Sequence, residues 1–467
     1  MTPHVSTDTI CAISTPPGIG GIAVARISGP RAIEIADSIW QGKPLAESDS
    51  HTAHLGTVTD TAGEPLDQSV ATLFRAPRSF TGEDVVEISV HGSRYVQQAL
   101  LETLIHAGAR LADPGEFTRR AFANGRMDLA EAEAVADVIA STSRAAHRIA
   151  MSQMRGGFSQ RLAEVRRSLL DLSALLELEL DFSEEEVEFA SRSRLRELAQ
   201  GIYDEVTRLH QSFASGSAIK DGIPVAIIGA TNAGKSSLLN ALLGDDRAIV
   251  SDIHGTTRDV VEDTLTIGDY LFRFMDTAGL RHTSDTIERI GIERSRRAMQ
   301  RASVIIALVD TTAALQPEIL AEAIGHPEAN LIIALNKTDI TTPRAVADIR
   351  VQITEALPAN TTATTIAISA RTGEGLDELR RHLTLAAGLC DTQATEGVMV
   401  TNARHAEALR QAGESARRVI DGLDTDLPGD LIAQDLRETI HHLGTITGTI
   451  TTPEILSTIF SRFCIGK

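Results

Sequence analysis

The sequence predicts a multidomain protein in which an α/β domain is inserted into an all-α helical domain and is preceded by an α+β domain. Three observations support this prediction. Residues 1–122 alternate short β-branched runs with helical patterns. Residues 123–220 and 389–467 show helical periodicity with few breakers. Residues 221–388 alternate apolar strands with helical segments, which is typical of an α/β domain. A helical block on both flanks indicates that this α/β domain is an insertion.

Within the first domain, β-branched and apolar runs predict strands at residues 9–14, 22–27, 69–74 and 85–90, with helices at 31–39 and 95–106. The run Gly18-Ile-Gly20-Gly-Ile-Ala23 resembles a dinucleotide fingerprint. That motif requires a helix after its glycines, and residues 22–27 predict a strand, so we reject it. In the helical block, Leu169, Leu172, Leu176 and Leu180 recur at helical spacing and predict a buried face. Helix breaks are expected at Gly156-Gly157 and Pro428-Gly429.

Composition restricts the class of protein. The chain has 467 residues, of which 42% are hydrophobic and 23% charged, as is usual for soluble globular proteins. No apolar run is long enough to cross a bilayer, and the longest, at residues 304–309, predicts a buried strand. Three scattered cysteines provide no disulfide framework, which suits a reducing compartment. A net charge of −19 argues against indiscriminate nucleic-acid binding. We therefore expect a cytoplasmic protein without a membrane segment.

The clearest motif is Gly229-Ala-Thr-Asn-Ala-Gly234-Lys235-Ser236, which follows the apolar run at residues 223–228 and precedes a helical pattern. This context is that of a phosphate-binding loop, in which backbone N–H groups surround phosphate oxygens. Lys235 is expected to reach the β- and γ-phosphates, and the Ser236 hydroxyl to hold Mg²⁺. We call residues 229–236 the phosphate loop.

Three further motifs identify the nucleotide as a guanine nucleotide. Asp276-Thr-Ala-Gly279 follows residues 265–275, an alternating segment expected to be one strand. Asn336-Lys337-Thr-Asp339 follows the apolar strand at residues 331–335, and Ser369-Ala370-Arg371 follows the apolar stretch at 365–368. The Asp339 carboxylate can accept hydrogen bonds from the ring N–H and the exocyclic amine of guanine, a donor pair that adenine lacks. Together these motifs predict that the inserted domain is a P-loop GTPase (G) domain.

The hydrolytic machinery cannot be assigned from these motifs alone. Leu280 follows Gly279 where many small GTPases have a water-orienting glutamine, and leucine cannot bind water. Carboxylates follow at Asp285-Thr-Ile-Glu288. The positive charge needed in the transition state could come from Arg258 or from a monovalent cation bound by Asn232. Thr257 is expected to be the switch threonine that closes over Mg²⁺.

Charge changes sharply along the first helical block. Residues 143–167 are rich in arginine, and residues 171–188 are rich in acids. The basic stretch could contact RNA phosphates, but a solvated helix face that pairs with its acidic neighbour is the favoured interpretation. The pair His441-His442 has no partner at metal-ligand spacing, and we do not interpret it as a metal site.

Several motifs resemble one known family. They are Thr15-Pro-Pro-Gly18, Phe80-Thr-Gly-Glu-Asp84, Pro114-Gly-Glu-Phe117, Gly255-Thr-Thr-Arg-Asp259, Asp276-Thr-Ala-Gly-Leu-Arg281 and Phe463-Cys-Ile-Gly-Lys467. In unbroken order over the whole chain, they resemble the tRNA-modification GTPases of the MnmE/TrmE family. The N-terminal motifs and the terminal pentapeptide are more specific to that family than the GTPase motifs.

The resemblance implies an N-terminal folate-binding and dimer-forming domain, a helical domain and a G domain. It implies GTP, Mg²⁺, K⁺ and a tetrahydrofolate derivative (5-formyl- or 5,10-methylene-tetrahydrofolate) as cofactors. It also implies a homodimer, tRNA, and a flavin-containing partner of the MnmG/GidA type, together forming a heterotetramer. The expected reaction adds an aminomethyl-type group to C5 of the wobble uridine at tRNA position 34.

The resemblance also implies roles for individual residues. Mg²⁺ would be bound by Ser236 and Thr257, and K⁺ by Asn232, Ser251, Ile253 and Thr256, with dimerisation of the G domains dependent on K⁺. Glu288 would orient the attacking water, and Cys464 would assist the modification chemistry. The folate residues would be Arg26, Glu87, Arg126 and Lys467. The full nucleotide-binding set is Asn232, Ala233, Gly234, Lys235, Ser236, Ser237, Ser251, Asp252, Ile253, His254, Gly255, Thr256, Thr257, Asp276, Thr277, Ala278, Gly279, Asn336, Lys337, Asp339, Ser369, Ala370 and Arg371.

One alternative stays open at this point: a regulatory GTPase that acts as a switch in ribosome assembly. The GTPase motifs do not separate the two hypotheses. The first 120 residues and the terminal pentapeptide favour the tRNA-modifying function, because a switch has no need of a folate site.

Overall fold

The computed structural model describes residues 8–181, 192–244, 263–275, 296–358, 361–395, 398–425, 427–461, 463 and 466. The chain divides into two compact units. Unit 1 comprises residues 1–139, 153–199 and 414–467, and unit 2 comprises residues 140–152 and 200–413. Of the helices in the described residues, none has the length and apolar character needed to cross a membrane.

Unit 1 contains a seven-stranded sheet with the order β3-β4-β5-β6-β2-β1-β7 among the described residues. The sheet is antiparallel except where β1 pairs with β7. The strands are β1 (Ile10–Ile13), β2 (Ala23–Ser28), β3 (Trp40–Gln41), β4 (Thr52–Thr59), β5 (Pro65–Phe74), β6 (Val85–Val90) and β7 (Arg110–Leu111). The strand β2 that follows Gly18–Gly21 confirms the rejection of a dinucleotide fingerprint there.

The strand β2 shows how the sequence positions two faces of this sheet. Its residues alternate, so that Ala25 and Ile27 enter the core with the helices α1 (Ala32–Ser38) and α2 (Arg94–His106). Arg26 points to the opposite face, where Phe117 of α3 (Glu116–Ala123) and Phe80 lie. The charged side chain of Arg26 is thereby held on the face of the sheet opposite to α1 and α2.

The helices of unit 1 come from two parts of the sequence, one before and one after the segment that forms most of unit 2. They are α4 (Leu129–Ala140), which ends at the unit boundary, α6 (Gly157–Asp181), the first part of α7 (Arg192–Asp221), the last part of α12 (Ala403–Asp424), α13 (Gly429–Thr447) and α14 (Pro453–Phe460). Helix α6 packs against α13, and Leu169, Leu172 and Leu176 are buried as their spacing predicts. The helix starts at Gly157 and Gly429 confirm the two predicted breaks.

Unit 2 contains a six-stranded sheet with the order β13-β12-β11-β8-β10-β9 among the described residues. Its strands are β8 (Ile223–Gly229), β9 (Asp263–Ile267), β10 (Tyr270–Phe274), β11 (Val304–Asp310), β12 (Asn330–Asn336) and β13 (Ala363–Ala367). All pairs are parallel except β9 with β10. Residues 265–275 are therefore two antiparallel strands, and the single strand expected there is wrong. Gly268, with φ +62°, forms the turn between them.

Helices cover both faces of this sheet. With bounds in the described residues, they are α5 (Arg144–Met154), α8 (Lys235–Leu243), α9 (Pro317–Ile324), α10 (Pro343–Ala356) and α11 (Leu376–Thr395). The strands of a parallel sheet are buried on both faces and so read as continuous apolar runs, as β8 and β11 do. The predicted multidomain fold class, an α+β domain with a helical domain and an α/β P-loop domain, is confirmed. The three predicted domain boundaries, after residues 122, 220 and 388, stay a prediction.

Candidate functional site

The phosphate loop has the backbone that its sequence predicts. It leaves β8 at Gly229 and enters α8 at Lys235, with Asn232 at φ +64° and Gly234 at φ +98°. A Cβ on Gly234 would lie 2.3 Å from Nδ2 of Asn336, so both the left-handed backbone and the available space require glycine. The first turn of α8, with Ser236 and Ser237, therefore begins at a tight loop whose N–H groups can receive an anion.

Lys235 folds back over this loop. Its Nζ donates hydrogen bonds to the carbonyl oxygens of Gly229 (2.7 Å) and Ala230 (2.8 Å). Burial lowers the pKa of Lys235, because the site removes water from its ammonium group. A phosphate bound at the loop would offset that loss of hydration, which suits Lys235 for contact with an anion.

Asn336 joins three loops of the site. Its side chain is buried at 2% exposure. Its Nδ2 donates to the carbonyl of Ala233 in the phosphate loop at 2.8 Å, and its Oδ1 accepts from the amide of Ala370 at 2.9 Å. The ends of β8, β12 and β13 are thus tied together at the carboxyl edge of the parallel sheet, which is where such sheets bind ligands.

Asp339 lies beside this junction. It belongs to a short 3₁₀ turn, Thr338–Ile340. Its Oδ1 accepts a hydrogen bond from Ser369 Oγ at 2.8 Å, and its Oδ2 lies 3.3 Å from Nε of Arg371. These contacts hold the plane of the carboxylate while each oxygen keeps a lone pair for a further donor.

Several predicted residues lie outside the described residues. They are Ser251, Asp252, Ile253, His254, Gly255, Thr256, Thr257, Arg258, Asp276, Thr277, Ala278, Gly279 and Glu288 of the nucleotide site, and Cys464 and Lys467 near the C-terminus. Of the expected Mg²⁺ and K⁺ ligands, the described part of the chain contains Ser236 and Asn232. Within that part, no group of three or more His, Cys, Asp or Glu side chains could hold a metal ion.

A second candidate site lies in unit 1, on the face of the sheet that carries Arg26. Arg26 and Glu87 are direct partners on β2 and β6. The Nε and Nη2 atoms of Arg26 lie 2.9 Å and 2.8 Å from Oε1 of Glu87. The guanidinium carbon also lies 5.3 Å from the ring centroid of Phe80 and 5.7 Å from that of Phe117, which favours a cation–π interaction.

The C-terminal segment reaches this site. The carbonyl of Gly466 accepts hydrogen bonds from Ser14 Oγ at 3.0 Å and from Nη1 of Arg26 at 3.5 Å. Gly466 is buried with φ +93°. The structure therefore brings Gly466 next to Arg26, although 440 positions separate the two in sequence.

Arg126, the remaining described member of the predicted folate set, is exposed. Its Cγ lies 3.1 Å from where a Cβ on Gly82 would be, so its stem runs along the loop that supplies Phe80. Arg26 and Glu87 are in direct contact, and Arg126 is placed at the edge of the same loop. Ser14, Phe80 and Phe117 had no role assigned from sequence. Phe80 and Phe117 stand in two of the family-specific motifs, which is the signal that could have found them, and Ser14 directly precedes a third motif.

The fold and the phosphate loop define the class: a P-loop nucleotide-binding protein with a base-recognition motif for guanine. A profile described as "MnmE helical domain" matches residues 129–464, and one described as "GTP-binding protein TrmE N-terminus" matches residues 9–126. The chain therefore belongs to the MnmE family of tRNA modification GTPases.

Curated relatives extend over the full chain. The protein named tRNA modification GTPase MnmE from Parabacteroides distasonis is 52% identical and covers 98% of this chain and 100% of its own length. The protein of the same name from Bacteroides fragilis is 48% identical, covering 99% and 100%. That from Cytophaga hutchinsonii is 46% identical, covering 99% and 98%.

Proposed function

We propose that this chain is the GTP-hydrolysing component of a tRNA-modifying complex that adds an aminomethyl-type group to C5 of the wobble uridine at position 34. Membership of the family supports a GTPase that acts on tRNA. The finer statement rests on the pair formed by Arg26 and Glu87 in unit 1. This pair supports the tRNA-modifying function over a GTPase that serves only as a switch, because a switch has no need of a folate site.

The donor set of this pair fits a pterin. Glu87 has an exposed side-chain fraction of 27%, so a ligand can reach its carboxylate. Its Oε1 is engaged by Arg26, and within the described residues its Oε2 has no hydrogen-bond partner. A pterin presents adjacent N–H donors, which a carboxylate oxygen accepts. When bound, a methylene-tetrahydrofolate would supply the one-carbon unit.

The cationic side chains suit the other end of such a ligand. Arg126 and Lys467 would bind the carboxylates of the folate's glutamate tail, with Arg126 exposed beside the loop that carries Gly82. Arg26 is held by Glu87 and by the rings of Phe80 and Phe117, so it would orient the Glu87 carboxylate toward the ligand.

For the nucleotide, Asp339 would accept from the ring N–H and exocyclic amine of guanine, and the Ala370 segment would face the guanine oxygen. Ser236 and Thr257 would bind Mg²⁺, while Asn232, Ser251, Ile253 and Thr256 would bind K⁺. Glu288 would orient the attacking water, and Cys464 would assist the modification step. These assignments follow the family resemblance.

The partners are proposed on the same basis. The chain would form a homodimer and join a flavin-containing partner of the MnmG/GidA type in a cytoplasmic heterotetramer. Dimerisation of the G domains in the presence of K⁺ would then couple GTP hydrolysis to opening and closing of the complex.

Binding of a reduced folate tests the proposal directly. Calorimetric titration of the full-length protein with 5-formyl-tetrahydrofolate should give saturable binding. Glu87→Gln should weaken it about 10- to 100-fold, because a hydrogen bond to a charged acceptor contributes about 1.5–3 kcal/mol. Glu64→Gln removes an exposed acid of the same domain and is the matched control. Absence of binding to the wild type, or equal affinities for the two variants, would refute the folate site.

The hydrolytic part needs a separate measurement. GTP turnover should be higher in K⁺ buffer than in Na⁺ buffer of equal ionic strength. Asn232→Ala should remove this difference because it removes one proposed K⁺ ligand. Equal turnover of the wild type in both salts would leave Arg258 as the leading source of transition-state charge and would contradict the K⁺ assignment.

A further inference from the structure

The loop that carries Asp339 has an unusual backbone at its start. We call residues 336–341 the base loop. Lys337 adopts φ +69°, a left-handed conformation that costs a residue with a side chain roughly 1–2 kcal/mol. Such a conformation persists only where neighbouring contacts determine it. It turns the chain from β12 into the 3₁₀ turn that carries Asp339.

The contacts come from the end of the adjacent strand, β11. Oδ2 of Asp310 lies 2.6 Å from Nζ of Lys337, and both side chains are largely buried, at 14% and 29% exposure. Thr311, the next residue, donates from its Oγ1 to the carbonyl of Asn336 at 2.7 Å. The last residue of β11 and the residue after it therefore hold two consecutive residues of the base loop.

Asp310 is itself held in place. Its Oδ1 accepts from the amide of Thr312 at 2.9 Å and from the Thr312 hydroxyl at 2.6 Å. Burial alone would raise the pKa of Asp310, but the bonds from Lys337 and Thr312 outweigh it and lower the pKa. The carboxylate is thus ionised and fixed at both oxygens, as an anchor for an ammonium group requires.

We propose that Asp310 is a positioning residue for guanine selectivity, which acts by anchoring Lys337 and thereby setting the base loop that presents Asp339. The inference rests on the proposed role of Asp339 in base recognition. Asp310 needs no contact with the nucleotide in this role. Its effect should therefore fall on the recognition of the base rather than on the phosphates.

The test compares the affinities of nucleotide-free full-length protein for GDP and for IDP, whose base lacks the exocyclic amine. The wild type should prefer GDP by at least about tenfold, because one hydrogen bond to a charged acceptor is lost with IDP. Asp310→Asn keeps the shape but removes the charge, and it should reduce this preference by about threefold to tenfold. A general loosening of the fold would lower both affinities by the same factor and leave the ratio unchanged.

Two further variants locate the effect. Asp348→Asn removes an exposed acid from α10 in the same unit and should leave the ratio at its wild-type value. Combining Asp310→Asn with Lys337→Met should give the ratio of Lys337→Met alone, because both changes remove one ion pair. Thr312 is exposed, so Thr312→Val should fold even if Asp310→Asn does not. It removes the hydroxyl that donates to Asp310 and should lower the preference for GDP over IDP about twofold.

Each outcome has a definite meaning. A wild type without preference for GDP over IDP would overturn the base assignment of Asp339, and this inference with it. If the wild type prefers GDP and Asp310→Asn keeps the same ratio of affinities, this inference alone is overturned. Where Asp310→Asn does not fold, an unchanged ratio in Thr312→Val has the same meaning. Additive losses in the double variant would show that Asp310 does not act through Lys337.

Discussion

Replacing Asn336 by alanine should destabilise unit 2 by about 2–4 kcal/mol. The side chain makes two hydrogen bonds, to Ala233 and from Ala370, of 2.8 and 2.9 Å. Its 2% exposure means that water cannot replace them in the variant. A buried polar group left without a partner costs about 1–3 kcal/mol, and two such groups are created, with partial relaxation of the loops. We expect nucleotide affinity to fall as well, because the phosphate loop and the base loop lose their common tie.

The assay can use the single tryptophan of the chain, Trp40, which lies in β3 of unit 1. Urea unfolding followed by tryptophan fluorescence therefore reports on unit 1, whereas far-UV circular dichroism reports on both units. Asn336→Ala should lower the dichroism midpoint assigned to unit 2 and leave the fluorescence midpoint unchanged. Asn330→Ala, at the other end of β12, is the matched control. A loss below about 1 kcal/mol, or an equal shift in fluorescence, would refute the reasoning.

A second variant separates the two bonds. Asn336→Asp keeps an oxygen that can accept from the amide of Ala370 but places another oxygen against the carbonyl of Ala233. Hydrogen exchange at the Ala370 amide should stay slow in this variant and become fast in Asn336→Ala. Fast exchange in both would mean that the Ala370 bond depends on the Ala233 bond.

Three other changes test separate parts of the molecule. Asp339→Asn should weaken GDP binding and admit xanthine nucleotides in a competition assay, and unchanged guanine preference would remove Asp339 from base recognition. Burial raises the pKa of Glu116, but hydrogen bonds, of which that from Arg110 is the strongest, lower it below its ordinary value of 4.5. The ionised Glu116 therefore stabilises unit 1 above about pH 4.5, and this stabilisation is lost as the pH falls through the lowered pKa. Glu116→Gln should therefore flatten the acid limb of unit 1 stability in tryptophan-monitored urea melts, and an unaltered limb would contradict this linkage. Gly466→Ala should weaken binding of 5-formyl-tetrahydrofolate, because the added Cβ would lie 2.4 Å from the carbonyl of Ile13. Unchanged affinity would mean that Gly466 does not contribute to the folate site.

Local chemistry explains what the sequence predicted well. The phosphate loop and the buried strands β8, β11 and β12 follow from glycine spacing and from continuous apolar runs, which have few other interpretations. The fold class follows from the same patterns. Each of these features depends on residues that are close together in the chain.

The features that escaped prediction are those where alternation is weak or a turn is short. The strand β4 (Thr52–Thr59) mixes polar and apolar residues, and its Leu55 is exposed, so its pattern gives no clear face. Strands β9 and β10 are joined by two residues, Gly268 and Asp269, and the buried positions change from odd numbers in β9 to even numbers in β10. This change of phase and the Gly-Asp pair indicate a hairpin, and treating residues 265–275 as one alternating segment missed both signals.

Contacts between distant residues were also beyond sequence reasoning from the residues alone. Arg26 and Glu87 were assigned through a family resemblance, and their direct pairing follows only from the register of β2 with β6. The role of Asn336 as the tie between loops and the anchoring of Lys337 by Asp310 depend on which strands are neighbours in the sheet.

The two sites share one principle of construction, and it has a consequence for how they can be perturbed. In each, the residue expected to bind ligand is oriented by a group far away in sequence: Asp339 by Ser369, and Glu87 by Arg26, which also donates to the carbonyl of Gly466. A variant that leaves every proposed ligand-binding residue intact can therefore still weaken binding by releasing one of these supports. Because Gly466 stands 440 positions from Arg26, the site in unit 1 is complete only when both ends of the chain have folded together. Folate affinity should consequently respond to changes near the C-terminus, whereas guanine affinity should respond to changes at the ends of β11, β12 and β13.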